Sequence, residues 1–152
     1  MRRKDREITD INEIYSIIGR SKVIHIAFAD EKYPYILPFN FGYEVKDGRL
    51  YFYIHTALQG KKNEIIEKNP CVAFELDNCG EYVQGSITSN YESVAGNGTM
   101  TELTDTEQKL YALSLILEQY GEKEYKADGS CTARTRVYRL EVNEISGKAN
   151  RK

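Results

Sequence analysis

Two adjacent lysines, Lys61 and Lys62, follow Gly60 at the point where a tyrosine-rich apolar run, ending near Tyr53-Ile54-His55-Thr56-Ala57, gives way to Asn63-Glu64-Ile65-Ile66-Glu67-Lys68. The first segment reads as a strand, and the residues from about Leu58 to Lys68 read as a helix that stops before Pro70. Both ammonium groups then lie at the positive end of the helix dipole, which is unfavourable by a few tenths to about 1 kcal/mol for charges of that sign. A phosphate docked on the free N–H groups of the first turn reverses the sign of the interaction. The same lysines also suit a solvated face, because Lys61 and Glu64, and then Glu64 and Lys68, stand at helical spacings.

A second chemical signal is Pro34-Tyr35-Ile36-Leu37-Pro38-Phe39-Asn40-Phe41-Gly42. Proline inside a strand removes a ladder donor and marks an edge, a bulge or the approach of another group. Alternation places Pro38, Asn40 and Gly42 on one face and Leu37, Phe39 and Phe41 on the other. Asn40 offers a donor and an acceptor, so this strand suits the border of a flat heteroaromatic ring, and equally a plain edge strand with a structural asparagine. His55 shares a strand face with Tyr51 and Tyr53 at the end that hands over to the lysines. With His25 as the second of two imidazoles, in the apolar run Val23 to Ala27, metal ligation is not expected. There is no GxSxG turn for a serine hydrolase, and Gly96-Asn97-Gly98 is a lone GxG that reads as a bulge or tight turn within a strand.

The elements that position these groups follow from periodicity. A first helix starts at Thr9-Asp10, with Glu13 completing a capping pattern and Ile11, Ile14, Tyr15 and Ile18 as its apolar stripe, and Gly19 ends it. Strands are expected at Val23 to Ala29, Tyr33 to Tyr43 and Arg49 to His55, the last two joined by an Asp47-Gly48 hairpin, so that the three form an antiparallel meander. Further strands are expected at Cys71 to Leu76, at Tyr82 to Leu103 as one strand or a bulged pair interrupted around Ala95 to Gly98, and at Thr135 to Val142, with Cys71 a small apolar strand residue. A helix opens at Thr104 and buries Leu110, Leu113, Leu117 and Tyr120. About six strands with helices at the connections predict a small antiparallel barrel of the α+β class.

At 152 residues, with 41% apolar and 29% charged, the chain suits a single domain, 1–152, with a full core. A formal charge of −2 gives no global attraction to nucleic acid. No apolar run approaches the roughly 20 residues of a spanning helix, and the polar start is unlike a signal peptide, so no membrane partner and a cytoplasmic location are expected. Three cysteines without CxxC spacing indicate neither a disulfide framework nor a zinc site.

Taken in order, Met1-Arg2-Arg3-Lys4-Asp5-Arg6-Glu7, Pro34 to Tyr43, His55-Thr56-Ala57 with Gly60-Lys61-Lys62, Asn69-Pro70, Tyr91-Glu92-Ser93-Val94 and Ile145-Ser146-Gly147-Lys148 resemble the pyridoxamine 5′-phosphate oxidase-like flavoproteins, most of all their 5-nitroimidazole resistance branch. That resemblance covers nearly the whole chain. It implies a split β-barrel that forms a homodimer with two FMN molecules in grooves between the subunits. It implies that Lys61 and Lys62 hold the FMN phosphate, with Gly60 allowing its approach. Pro38, Phe39, Asn40 and Phe41 flank the isoalloxazine ring through backbone groups, and His55, Thr56 and Ala57 border the ring and ribityl chain. Ser93 matches a polar flavin contact, and Lys148 reaches a site from the partner chain. The chemistry implied is reduction of a small planar or nitroaromatic compound, with NAD(P)H as electron donor and His55 as the catalytic proton donor or substrate contact. True oxidases carry an arginine where Lys61 stands, and no arginine-rich substrate-phosphate site is evident, which argues against pyridoxamine phosphate oxidation. A non-enzymatic flavin-binding or sensor protein, and a haem-binding split barrel, are the alternatives.

Overall fold

Asn40 and Phe41 interrupt the run from Tyr33 to Tyr43, and this interruption decides the architecture. The computed structural model describes residues 3–151. Its strands are β1 (Glu7–Ile8), β2 (Ile24–Phe28), β3 (Tyr35–Phe39), β4 (Gly42–Lys46), β5 (Arg49–Ala57), β6 (Cys71–Tyr82), β7 (Ser89–Leu103) and β8 (Thr135–Asn150). The helices are α1 (Ile11–Arg20), α2 (Lys61–Lys68), α3 (Thr106–Gln119) and α4 (Gly129–Arg134).

The strands form one antiparallel sheet in the order β3-β2-β6-β7-β8-β5-β4, with β1 added on β8. The count is eight strands rather than six. The extra ones arise because the expected second strand splits into β3 and β4, and because Glu7–Ile8 finds a partner in Gly147 and Lys148. The expected three-strand meander is broken as well: β2 pairs with β3 and β4 with β5, but β3 and β4 lie at opposite ends of the sheet order. Two residues join them, so the sheet must curl until its two edges approach each other. They meet without a hydrogen-bonded ladder, and this α+β fold is the split barrel expected.

Alternation assigns the faces. Ile24, Ile26 and Phe28 of β2, Phe52 and Ile54 of β5, Phe74 and Leu76 of β6, and Tyr138 and Leu140 of β8 fill the interior. Phe41 and Phe52 meet edge to face at 5.6 Å, and Phe52 and Phe74 at 5.1 Å, as aromatic quadrupoles prefer. Ile14, Ile17 and Ile18 of α1 and Ile65 and Ile66 of α2 complete this core. Asp10 caps α1 by accepting from the Asn12 amide at 2.9 Å. Gly19 lies inside α1, which runs on to Arg20 and is capped by Ser21. Glu92 on β7 receives the Arg20 guanidinium, with Arg151 as a second partner, and its carboxyl is held down to about 2. Cys71 is the first residue of β6, a strand residue as expected. Val72 and Phe74 take the inward phase of β6, so Cys71 faces outward and is exposed.

A second, smaller core lies outside the barrel, where α3 packs on β4 and β5 and buries Ala112, Leu113 and Ile116 against Tyr53, Leu103 and Val137. Asp105 caps the helix by accepting from Gln108 N at 2.9 Å. The buried stripe is therefore shifted from the expected Leu110–Leu113–Leu117–Tyr120 line, since only a narrow strip of α3 meets the sheet. The last strand continues through the expected tail to Asn150, and the Asn97–Gly98 position is a register irregularity between β7 and β8. No described helix is long and apolar enough to cross a membrane.

Gly42 sits where α3 presses on the sheet, and a Cβ there would lie 2.5 Å from the Ile116 nitrogen and 2.5 Å from the Leu115 carbonyl carbon. Gly42→Ala is expected to lower stability by about 1–3 kcal/mol, the range for overpacking a filled contact. Equilibrium urea unfolding measures it, and an unchanged midpoint would mean that α3 is not seated here.

Candidate functional site

The seam of the barrel is where the sequence-predicted residues gather. β4 pairs with β5 only from Arg49 to Tyr53, so the Ile54–Ala57 half of β5 is paired with β8 alone. Across the seam stands β3, whose single partner is β2. One end of the seam is fixed by the Asn40-Phe41 connection. At the other, the Lys61 ammonium lies 2.8 Å from an Asp30 carboxylate oxygen and 4.9 Å from the centre of the Tyr35 ring, which ties the start of α2 to the β2–β3 side. Two unpaired strand edges and one helix start thus border the seam, which runs the four residues Ile54–Ala57 of β5, about 13 Å at strand rise.

Along β3, Pro38 and Asn40 face outward and are exposed, while Leu37 and Phe39 turn inward. Phe39 packs on Phe28 with ring centres 6.1 Å apart. Phe41 is fully buried in the core, and its amide takes the Tyr120 hydroxyl as acceptor at 3.3 Å, so neither its ring nor its N–H faces the seam. Gly42 does not share the open face of Pro38 and Asn40, because α3 covers it.

β5 divides its residues the same way. His55 and Ala57 point out, and Thr56 points in and is 4% exposed. The Thr56 hydroxyl lies 3.0 Å from Asn63 Oδ1, which also accepts from the Tyr138 hydroxyl at 3.3 Å. Asn63 Nδ2 donates to the carbonyls of Ala57 at 2.9 Å and Leu58 at 3.3 Å. This buried network staples the end of β5 to the first turn of α2 and holds the Tyr138 phenol, pushed up to about 12 by burial, in its neutral donating form. Thr56 therefore fixes the loop from inside and faces the seam only through its backbone.

No side chain caps α2, and Gly60, with φ 146°, takes a backbone conformation open to glycine. The Asn63 amide bonds back to the Gly60 carbonyl at 2.9 Å, which leaves the amides of Lys61 and Lys62 for an outside acceptor. Lys61 is paired with Asp30, not with Glu64 as helical spacing alone allows. The pairing raises the pKa of Lys61 and lowers that of Asp30.

A family model described as pyridoxamine 5′-phosphate oxidase matches residues 10–149. The chain belongs to this family. Among solved structures it is similar to a candidate 5-nitroimidazole antibiotic resistance protein from Bacteroides thetaiotaomicron, with 26% identity, a TM-score of 0.83, and coverage of 94% of this chain and 86% of that one. It is similar to an FAD-binding protein from Mesorhizobium loti at 25% identity and a TM-score of 0.68, covering 96% of this chain and 98% of that one. A FAD- and haem-binding protein from Mycobacterium smegmatis, at 16% identity and a TM-score of 0.80 over 97% of this chain and 74% of that one, shares the fold. No curated protein matches the sequence.

In this member of the pyridoxamine 5′-phosphate oxidase family, Ser93 is the predicted residue that the chain does not bring to the seam. It lies on β7, beside Asp77 of β6 and Lys148 of β8, three strand positions or about 14 Å from β3. Lys148 stands 5.6 Å from the Tyr91 ring, near Arg6. His25 is on the outer face of β2, with Nδ1 3.6 Å from a Glu75 oxygen and Asp77 close by. Sequence reasoning missed Asp30, Tyr35 and Asn63. Only Asn63, in the first turn of a helix that lacks a capping side chain, left a local trace.

His55 opens on its outer side into a cavity of about 360 Å³ walled by α3, α4 and the segment between them. The protein crowding around the imidazole lowers its pKa from the ordinary histidine value. A lowered folded-state value means that stability linked to His55 is present above the unfolded value of about 6.5 and is lost as pH falls through the folded value. NMR titration is expected to place the His55 midpoint below that reference, with the stability loss between neutral pH and the folded value reduced in His55→Gln. A midpoint above the reference would reverse the assignment.

Proposed function

We propose that this family member is an FMN-binding oxidoreductase, active as a homodimer, that reduces a small planar or nitroaromatic compound with a reduced nicotinamide nucleotide as donor. The observation that carries this reading is the uncapped start of α2, with its free amides and two lysines, placed at one end of an unpaired barrel seam. The residues fit the group. A phosphate dianion would satisfy the open amides of the first turn together with Lys61 and Lys62, and Gly60 has no side chain to bar its approach. A flat ring would lie along the open edges of β3 and β5, reading the backbone of Pro38, Phe39 and Asn40 on one side and of His55, Thr56 and Ala57 on the other. Phe41 contributes support from within the core.

Bound flavin would supply hydride or electron transfer. The chain's own part is to hold the phosphate through Lys61 and Lys62, to orient the ring at the seam, and to present His55. The crowding that lowers its pKa favours the neutral imidazole, which suits His55 as a hydrogen-bonding substrate contact or proton donor. Two features favour a dimer. The outer face of β2, β3 and β6 carries exposed Ile36 and Pro38 with Ala27 and Ala73 and lacks the helical cover that α3 gives β4 and β5. Ser93 and Lys148 are too far from their own seam to reach it, so a role at a flavin requires the neighbouring subunit's groove.

Lys61→Ala combined with Lys62→Ala is expected to strip FMN from the purified protein, since each charge-assisted contact contributes about 1.5–3 kcal/mol. Flavin absorbance per chain measures this. Undiminished flavin would refute the phosphate assignment, and a Soret band in place of flavin in the parent protein would move the reading to haem.

Asp30 competes with the phosphate for Lys61, so Asp30→Asn is expected to tighten FMN binding severalfold. Fluorescence quenching titrations of apoprotein with FMN report it, and weaker binding would mean that Asp30 positions Lys61 instead of sequestering it.

A further inference from the structure

The outer cavity is separate from the seam but shares His55 with it. Its walls are Leu113, Ile116 and Leu117 of α3 and Ala127 of the segment leading to α4, so most of what an occupant would touch is apolar. Two polar groups stand apart from those walls. Arg134, the last residue of α4, gives its Nε–H to the Ser130 carbonyl at 3.1 Å, and no other bond is made by its guanidinium among the described residues. The fork of Nη groups is therefore free, at the rim of the cavity. His55 likewise has no hydrogen-bond partner there. By contrast, the Tyr125 hydroxyl is engaged with Cys131 Sγ at 2.8 Å.

We infer that this cavity takes a small apolar monocarboxylate, its carboxylate on the Arg134 fork and its body against Leu113, Ile116, Leu117 and Ala127, with His55 on the same wall as a second polar contact. The volume of about 360 Å³ is at the small end of ligand pockets and suits a single ring with a short substituent. A planar carboxylate matches a guanidinium fork in two parallel bonds. One guanidinium balances one negative charge. A dianion would find no second cation among the cavity's lining residues. A neutral occupant would leave the fork idle at the entrance. The inference rests on the flavin reading for its meaning as the substrate class of the same site, because His55 joins the cavity to the seam. The binding chemistry itself needs no flavin.

Benzoate is the probe, with benzamide as its neutral counterpart of the same shape. The purified protein is titrated with each by saturation-transfer NMR, and flavin content is read from the absorbance of the same samples. Benzoate is expected to bind saturably and more tightly than benzamide. Arg134→Gln is expected to weaken benzoate about ten- to a hundredfold and to leave benzamide nearly unchanged. Ala127→Trp, which fills the cavity without touching the charge, is expected to abolish both, with circular dichroism and the thermal midpoint confirming that it folds. Equal benzoate affinity in the parent and Arg134→Gln would overturn the inference, as would benzoate binding that survives Ala127→Trp, or loss of flavin in Ala127→Trp, which would make the cavity part of the flavin groove. Benzoate binding that depends on Arg134 in a protein without flavin would uphold the cavity and sink the flavin reading. Flavin-loaded protein that ignores benzoate would do the reverse.

Discussion

Two residues join β3 to β4, and those two strands lie at opposite ends of one seven-strand path of hydrogen bonds, with β1 as a side branch. That constraint forces the sheet to close on itself, yet it leaves both edges without a ladder where they meet. Unpaired strand edges are normally hazards that a protein covers or interrupts. Here Pro38 removes one donor from the exposed edge, and the inward turn of Phe41 spends its amide on Tyr120. The remaining backbone groups of β3 and of the Ile54–Ala57 half of β5 lie along the seam without a ladder partner, so its polar character belongs to the main chain. A seam of that kind accepts a flat ligand with hydrogen-bonding edges and asks little of side-chain identity, which is why the candidate contacts are mostly backbone ones.

The charge arrangement at the end of the seam follows from the same closure. Lys61 and Lys62 stand at the end of α2 where positive charge is least favoured, and the chain answers with Asp30, carried in from the β2–β3 turn. The ion pair is exposed and contributes little to stability. Its consequence is positional, since it holds the lysine over Tyr35 and next to the open amides. Beneath it, the Thr56–Asn63–Tyr138 network fixes the loop through buried bonds that water does not screen. Rigid support below and a weak, exchangeable partner above are what an anion site needs.

The sequence makes the local parts of this arrangement legible and hides the parts that closure creates. The helix start at Lys61 could be read because a strand pattern, a glycine and a proline stop bracket it, and the edge character of β3 because proline cannot sit in a central ladder. The fold class and family were also legible from ordered fragments along the chain. The break at Asn40-Phe41 was not, because Phe41 and Tyr43 continue the inward alternation of Leu37 and Phe39 across it, and nothing local marks the change of ladder partner from β2 to β5. The strand at Cys71 was legible but its face was not: an apolar residue at a strand start has two possible phases, and Val72 with Phe74 decides between them. Asp30 and Arg134 carried no signal at all, since each becomes significant through a neighbour distant in sequence.

His55 and Thr56 show how one strand serves two layers. A period of two sends adjacent residues to opposite faces, so Thr56 enters the barrel and becomes part of its buried scaffold while His55 enters the outer layer built by α3 and α4. The two layers have separate cores, one of barrel isoleucines and phenylalanines and one of α3 residues against Tyr53 and Val137. A change in the outer core can therefore reshape the cavity beside His55 while the network under Lys61 stays in place. The barrel fixes where a phosphate and a ring would lie, and the outer helices determine what can approach them. On the proposed reading, this division would let a single scaffold keep its cofactor site while the small molecule presented to it changes with the residues of α3 and α4.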